Sequence, residues 1–267
     1  MEEVPIVKRR GKRFRSGYDK VDRSRRYEPA DAVDLIKKTA SAGFDESVEA
    51  HFRLGVNVRH ADQQLRGTLP LPHGLGRDVS VIVFAEGDAA RIATEAGADE
   101  VGSDELAQKV EEGWTDFDVA ISTPDLMPKV GKLGRVLGPQ GKMPNPKVGT
   151  VTNDVAKAVT ESKAGKIEYR TDRQGVIHLV IGKASFNERQ LLENYTAVIE
   201  EIVRAKPSAS KGRYIISITL TTTMGPGIRV DPSRITEPEI LAGFEQRSSA
   251  SNGAEEQPQA AQEPAAA

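Results

Sequence analysis

Between residues 75 and 125 the sequence alternates short apolar runs with amphipathic segments, and this alternation is the strongest constraint on the fold. DVSVIVFAEG predicts a buried strand and DAARIATEAGA a helix; DEVG and SDELAQKVEEG predict a second such pair, and FDVAISTPD predicts a third strand. A β-α-β-α-β order implies a parallel sheet flanked by helices. One more helix is predicted over NDVAKAVTESKAG, residues 153–165.

A different pattern lies on both sides of this unit. Before it, PADAVDLIKKTAS predicts a helix and SVEAHFRLGVNV a half-buried strand. After it, KIEYRTDRQGVIHLVIGK predicts a hairpin that turns near residues 172–175. FNERQLLENYTAVIEEIVRAK then predicts a helix, and GRYIISITLTTT a closing strand. Strand and helix blocks on both sides of a self-contained α/β unit indicate a discontinuous domain with an insertion over residues 75–165.

Charge is segregated along the chain, although the formal net charge is only −2. Residues 1–26 hold ten basic and four acidic side chains, whereas residues 75–165 hold ten basic and fifteen acidic ones. The outer domain, with its basic arm, is therefore the candidate for contact with a polyanion. Composition alone also allows a solvated, disordered arm. Residues 236–267 form an acidic segment of low hydrophobicity that we expect to be a disordered tail.

Composition excludes several classes of function. The absence of cysteine excludes disulfides, thiolate metal sites and cysteine nucleophiles, and the four histidines fit no ligand spacing. We therefore expect no metal and no cofactor. No apolar run approaches the length of a membrane helix, and the N-terminus lacks the apolar core of a signal peptide. We expect a cytoplasmic protein with no membrane partner.

The stretch from Leu126 to Asn153 contains no acid and five basic residues. Its glycines suggest a phosphate-binding loop, but the Walker spacing requires Gly at position 136, which is Val136, and a hydroxyl at position 143, which is Met143. Two interpretations remain open: a structured loop, or a secondary basic surface that touches RNA or a ribosomal neighbour. The basic residues are Lys129, Lys132, Arg135, Lys142 and Lys147.

No constellation of catalytic residues is present, so we do not expect an enzyme. The segment FAEGDAA follows the first strand of the predicted parallel sheet, where a dinucleotide-binding domain would have a glycine-rich fingerprint. An α/β enzyme that binds a phosphorylated ligand in the inserted domain is the alternative hypothesis.

The closing strand ends in TTTMGPG, residues 221–227, which has no catalytic group nearby. A period of two predicts Ile216, Ile218 and Leu220 on the buried face, and Ser217 with threonines 219, 221 and 223 on the exposed face. Such a row of hydroxyls can reflect β-propensity alone. Alternatively, it can donate to phosphate and accept from a ribose hydroxyl while Met224 contacts a base or sugar.

Several stretches together resemble the bacterial ribosomal protein L-one family, a stalk protein of the large ribosomal subunit. They are GFDESVE, RGTLPLPHGLG, LGPQGKMPNPKVGTVT, GVIHLVIGKASF and TTTMGPG, in that order. The resemblance runs from about Lys12 to Arg234. It implies a two-layer α+β domain of split β-α-β type, residues 1–74 and 166–235, and an inserted three-layer Rossmann-like domain, residues 75–165. The hinge would fall at residues 72–74 and 164–166.

The resemblance also implies a function. It implies a part of the large ribosomal subunit that binds large-subunit rRNA at the mobile stalk, assists release of deacylated tRNA from the exit site, and represses its own mRNA through a leader that mimics the rRNA site. A free-standing RNA regulator is a further alternative. The implied RNA-binding residues are Arg13, Arg15, Phe44, Glu49, Lys166, Arg170, His178, Thr221, Thr223, Met224 and Gly225. The chain departs from the family pattern at Gly43, where lysine is usual, and at Gln140 and Lys142 in the basic loop.

Overall fold

The computed structural model describes residues 11–233. The start of the basic arm and the predicted tail over residues 236–267 lie outside this range. The strands are β1 Ser47–Leu54, β2 Arg66–Pro70, β3 Val81–Phe84, β4 Glu100–Gly102, β5 Val119–Ser122, β6 Lys166–Arg170, β7 Val176–Lys183, β8 Ile215–Thr222 and β9 Ile228–Val230. The helices are α1 Lys12–Tyr18, α2 Pro29–Thr39, α3 Asp88–Glu95, α4 Asp104–Glu111, α5 Met127–Val130, α6 Gly134–Gln140, α7 Val155–Lys163 and α8 Glu188–Arg204.

A four-stranded antiparallel sheet in the order β7-β1-β8-β9 carries two helices, α2 and α8, on one face. Alternation in β1 directs Val48, Ala50 and Phe52 into the core beneath these helices, where all three are fully buried. α8 contributes a stripe of apolar residues to the same core and begins with a capping box between Asn187 and Gln190. We call the other face of the sheet the open face, because within residues 11–233 no such layer of buried apolar side chains covers it.

The predicted alternation of β8 is wrong at its start. Ile215 and Ile218 are buried, but Ile216 is 38% exposed, because an irregularity in the register leaves Ile216 as an extra residue between Ile215, which pairs with Leu54, and Ser217, which pairs with Arg53. Beyond this bulge the alternation is as predicted, and Thr219 and Thr221 lie on the open face.

The predicted hairpin over residues 166–183 forms only at its turn. Asp172 accepts hydrogen bonds from the backbone N–H of Gln174 and Val176, and a single bridge joins Thr171 to Ile177. β6 then pairs along its length with β2, a strand that the sequence pattern did not reveal. The pattern specified two strands but not their partners.

A three-stranded parallel sheet in the order β4-β3-β5 forms a separate unit within residues 79–159. Val81 and Val83 pack toward α3 and α7, whereas Ile82 and Phe84 pack toward α4, α5 and α6. Burial on both faces explains the continuous apolar run of β3. The prediction of a mixed α/β fold with a parallel sheet is confirmed.

The two connections to the parallel unit pass each other at a pair of glycines. A Cβ atom on Gly165 would lie 2.6 Å from the Cα atom of Gly74, and both residues have positive φ angles of 91° and 62°. Asn194 of α8 anchors the first connection: its Oδ1 accepts from His73 N, and its Nδ2 donates to the carbonyl oxygens of Gly74 and Ile181. The division into domains at residues 74/75 and 165/166 stays a prediction.

Two segments without predicted regular structure are helical. Part of the basic arm forms α1, whose Gly17 packs against Thr39 and Pro226. The basic stretch after Leu126 folds into α5 and α6 because Val130, Leu133 and Leu137 supply an apolar side to it.

Candidate nucleic-acid interface

A buried carboxylate joins two loops at one end of the four-stranded sheet. Glu46 is only 1% exposed. Its Oε1 accepts hydrogen bonds from the N–H groups of Ser41 and Ala42 at 2.9 and 2.8 Å, and its Oε2 accepts from Met224 N at 3.0 Å. We call residues 41–47 together with residues 221–227 the Phe44–Met224 edge.

Burial of Glu46 opposes ionisation, but the backbone hydrogen bonds from Met224, Ala42 and Ser41, together with the nearby Thr222 hydroxyl, outweigh that effect. They hold the pKa of this carboxyl below its ordinary value of 4.5. Glu46 is therefore a carboxylate at neutral pH, and each loop is held by a charge-assisted hydrogen bond.

The predicted site residues of TTTMGPG lie at this edge. Thr223 extends the pairing of β8 to Ser47: its N–H donates to Ser47 O, and its hydroxyl accepts from Ser47 N. The Thr221 hydroxyl donates to the Thr222 carbonyl oxygen at 3.0 Å. At Gly225 a Cβ atom would collide with the Thr222 hydroxyl, so the glycine is required by packing inside the loop.

Two large apolar side chains project from the edge into solvent. Phe44 is 57% exposed and Met224 is 61% exposed. The contact of Gly17 with Pro226 places α1 beside the same edge, with Arg13 and Arg15 exposed on it. The edge thus contains five predicted site residues, Phe44, Thr221, Thr223, Met224 and Gly225, and the adjoining helix α1 carries two more, Arg13 and Arg15.

The open face carries a row of polar side chains across all four strands. The register aligns His178, His51, Thr219 and Arg229 on β7, β1, β8 and β9. The predicted site residue Glu49 lies two positions before His51, opposite Thr221. Glu49, His178 and Thr221 therefore share one face that begins at the Phe44–Met224 edge.

The two histidines of this row are hydrogen-bonded to each other, with their Nδ1 atoms 2.9 Å apart. One Nδ1 must donate and the other must accept, so the bond requires at least one neutral ring. Burial and the neighbouring His178 lower the pKa of His51, and the carboxylate of Glu49 acts in the opposite direction.

The opposite end of the sheet is rich in arginine. Arg59, Arg170 and Arg173 line one shallow groove beside the turn after β6. Arg66 lies directly opposite Arg170 in the β2–β6 pairing and forms an ion pair with Glu168 at 2.7 Å. We call these four residues the arginine end. The sequence analysis included only Arg170, because the four arginines come from two segments distant in sequence, one with Arg59 and Arg66 and one with Arg170 and Arg173.

The predicted site residue Lys166 lies away from both surfaces. Its Nζ forms an ion pair with Glu161 of α7 at 2.8 Å. It lines a cavity of about 210 Å³ between the β2–β6 pair and the parallel unit. Lys142, on the same cavity, donates to the carbonyl oxygen of Thr115. Both cations of this cavity are thus engaged within the protein.

The predicted secondary basic residues differ in how far they are engaged within the protein. Lys129 is paired with Asp104 at 2.8 Å and Glu86 at 3.1 Å, and these two hydrogen bonds raise the pKa of its ammonium group. Lys132, Arg135 and Lys147 are exposed.

Residues 11–233 hold neither a metal-binding cluster nor a membrane-spanning helix. That range contains no group of three or more histidine and acidic side chains suited to a metal ion. None of its helices combines the length and apolar character that a membrane span requires.

Comparison with known proteins assigns the family. Residues 36–226 match the family model described as "Ribosomal protein L1p/L10e family", and the chain belongs to this family of ribosomal proteins. Among its relatives is the protein named "Large ribosomal subunit protein uL1" of Thermobifida fusca (strain YX), which is 57% identical over 229 residues. That alignment covers 86% of this chain and 97% of the relative.

Family membership confirms the resemblance inferred from the motifs. It also confirms the prediction that the chain is not an enzyme, because the family consists of structural ribosomal proteins. The alternative hypothesis of an enzyme with a phosphorylated ligand is therefore wrong.

Proposed function

We propose that the chain is a structural constituent of the large ribosomal subunit, in the cytoplasm, and binds large-subunit rRNA through the Phe44–Met224 edge. The observation that carries the proposal is the joint exposure of Phe44 and Met224 on two loops that Glu46 ties together. Unstacked RNA bases pack against such aromatic and thioether side chains. The name of the Thermobifida fusca relative supports the assignment to the large subunit.

The neighbouring α1 supplies the electrostatic part of this binding. Arg13 and Arg15 are exposed on a helix that packs beside Pro226, so both guanidinium groups can reach phosphates of an RNA bound at the edge. Each neutralised phosphate releases counterions, which makes the affinity depend on salt. The hydroxyls and histidines of the open face offer further hydrogen bonds along the same surface.

Binding to purified large-subunit rRNA at fixed moderate salt tests this proposal. Phe44→Ala and Met224→Ala should each weaken binding, Phe44→Ala by about 1–3 kcal/mol, the usual loss when an aromatic platform is removed. Ile92→Ala is the matched control, because it truncates an exposed apolar side chain of α3 in the parallel unit. Wild-type affinity in both edge variants would overturn the proposal.

We infer that the arginine end faces a second RNA, deacylated tRNA in the exit site. β1 has eight residues, which separates the two ends of the sheet by about 23 Å. A protein bound to rRNA by one end can therefore present the other to a separate RNA. Arg59, Arg170 and Arg173 form no ion pair within the part of the chain that the structure describes, so their charges remain available to phosphates.

The tRNA assignment is tested with ribosomes that carry the double variant Arg170→Gln and Arg173→Gln. Such ribosomes should retain the protein but release deacylated tRNA from the exit site more slowly, measured with fluorescent tRNA. Lys132→Gln and Arg135→Gln together are the control, with the same change of charge on the parallel unit. Equal release rates in all three ribosomes would contradict this role.

We also propose that the chain represses its own mRNA by binding the leader through the Phe44–Met224 edge. One surface cannot hold two RNAs at once, so large-subunit rRNA should displace the leader in a competition experiment. A leader complex that resists rRNA would contradict a shared site. Co-sedimentation with large subunits from lysate distinguishes a ribosomal protein from a free-standing regulator.

A further inference from the structure

Glu46 joins the two loops of the Phe44–Met224 edge, but its own carboxylate does not reach the surface. It is 1% exposed, whereas Phe44 and Met224 on either side of it are mostly exposed. A bound RNA could touch those two side chains but not Glu46. Any effect of Glu46 on RNA must therefore act through the placement of its neighbours.

We propose that Glu46 is a positioning residue for RNA binding, whose buried carboxylate fixes the distance between Phe44 and Met224 so that both contact RNA together. The proposal rests on the RNA-binding function proposed above. The residue belongs to the GFDESVE motif, in which the sequence analysis selected only Phe44 and Glu49.

The chemistry of the three hydrogen bonds explains why a carboxylate is needed. One oxygen receives two backbone N–H groups from residues 41 and 42, and the other receives the N–H of Met224. A carboxylate accepts on both sides, whereas an amide of the same size accepts on only one. Glutamine at this position would direct an NH2 group at a backbone N–H of one loop, and that loop would lose its anchor.

Loop 41–46 has an additional anchor that does not involve the Glu46 side chain. The Asp45 carboxylate accepts hydrogen bonds from the N–H and hydroxyl of Ser185, and Ala184 N donates to the carbonyl oxygen of Glu46. The loop that carries Met224 is held to Ser47 through Thr223, one residue before Met224, so the segment from Met224 onward should be the one released in Glu46→Gln. Phe44 should stay in place while Met224 moves.

The test measures binding of purified large-subunit rRNA by the full chain in a double-mutant cycle. Glu46→Gln should weaken binding about tenfold in the wild-type background, but less than about twofold when Met224 is already alanine. Glu95→Gln, an exposed carboxylate on α3, is the control for the lost negative charge. A tenfold loss in both backgrounds, or no loss in either, would overturn the proposal.

Two further measurements separate positioning from folding. Hydrogen exchange of the Met224 amide should be slow in the wild-type protein and fast in Glu46→Gln. If Glu46→Gln does not fold, Glu46→Asp takes its place in the test. Its side chain keeps the charge but is one methylene too short to span both loops. It should lose less affinity for rRNA than the tenfold expected of Glu46→Gln. Wild-type affinity in a folded Glu46→Asp with an unprotected Met224 amide would refute the positioning role. Failure of the wild-type chain to bind rRNA would instead refute the proposed function itself.

Discussion

Ser47 and Thr223 exchange hydrogen bonds at the end of the four-stranded sheet. Thr223 N donates to Ser47 O at 3.1 Å, and the Thr223 hydroxyl accepts from Ser47 N at 3.0 Å. The hydroxyl that the sequence suggested for RNA is thus already bound within the protein. It extends the pairing of β1 and β8 by one residue into the loop that carries Met224.

Replacement of Thr223 should accordingly affect the stability of the protein as well as its binding of RNA. We expect Thr223→Val to lower the free energy of unfolding by about 0.5–1.5 kcal/mol, because Ser47 N loses its side-chain acceptor. Thr223→Ser keeps the hydroxyl and is the matched control. Urea unfolding compares the three proteins. Equal stability of Thr223→Val and wild type would show that water replaces the hydroxyl without cost.

Asn194→Ala should be one of the most destabilising single changes in the outer domain. The fully buried amide makes three hydrogen bonds, to His73, Gly74 and Ile181. Its removal leaves the partly buried N–H of His73 and two carbonyl groups without this partner, which should cost about 2–4 kcal/mol. Urea unfolding measures the loss, with the exposed Asn153→Ala as control. A loss below 1 kcal/mol would mean that the first connection is held mainly by other contacts.

The His51–His178 pair should make stability depend on pH. The pKa of His51 in the folded protein lies below its ordinary value of 6.5, so folding favours the neutral ring. This contribution is fully present above pH 6.5 and is lost as the pH falls through the folded-state pKa. NMR titration of the ring protons measures the pKa directly.

Two variants test the causes of that pKa. His178→Ala should raise the pKa of His51 toward 6.5, because a neighbouring ring that disfavours the charged form is removed. Glu49→Gln should lower it further, because the opposing carboxylate is lost. An unchanged pKa in both variants would leave burial as its sole cause.

Excision of residues 75–165 tests the predicted domain boundaries. The apolar cluster of the outer sheet is built from buried residues on both sides of this segment and from none within it. Gly74 and Gly165 are in contact, so a linker of about four glycine and serine residues can join the two parts. We expect cooperative unfolding and retained rRNA binding. A shortened chain that folds but does not bind rRNA would show that the parallel unit contributes to the site.

The elements of the fold with strong periodicity were predictable from sequence. The continuous apolar run of β3 and the apolar stripe of α8 are both buried, as their sequence patterns predicted. The bulge at Ile216 and the pairing of β6 with β2 were not predictable, since both depend on partners distant in sequence. A local sequence pattern indicates which side chains will be buried, but not which strand will pair with the strand that carries them.

The exposed residues of the candidate site were predictable from the sequence, but the buried residue that supports them was not. Phe44 and Met224 belong to distinctive motifs, and both are exposed. Glu46 looks like any acid in GFDESVE, and only the three backbone N–H groups around it reveal its role. The arginine end was missed for a similar reason, since two segments distant in sequence supply it.

The strand order of the outer sheet has a consequence for the nascent chain. β1 emerges early in synthesis, but both of its neighbours, β7 and β8, come from the C-terminal side of the parallel unit. The parallel unit pairs strands close in sequence and can fold as soon as it has left the exit tunnel. β1 must meanwhile stay unpaired until β7, and finally β8, is made. The last strand to be synthesised within this sheet's centre thus completes both the core and the loop that carries Met224, so only a chain that has been synthesised through β8 and the loop after it can present the Phe44–Met224 edge.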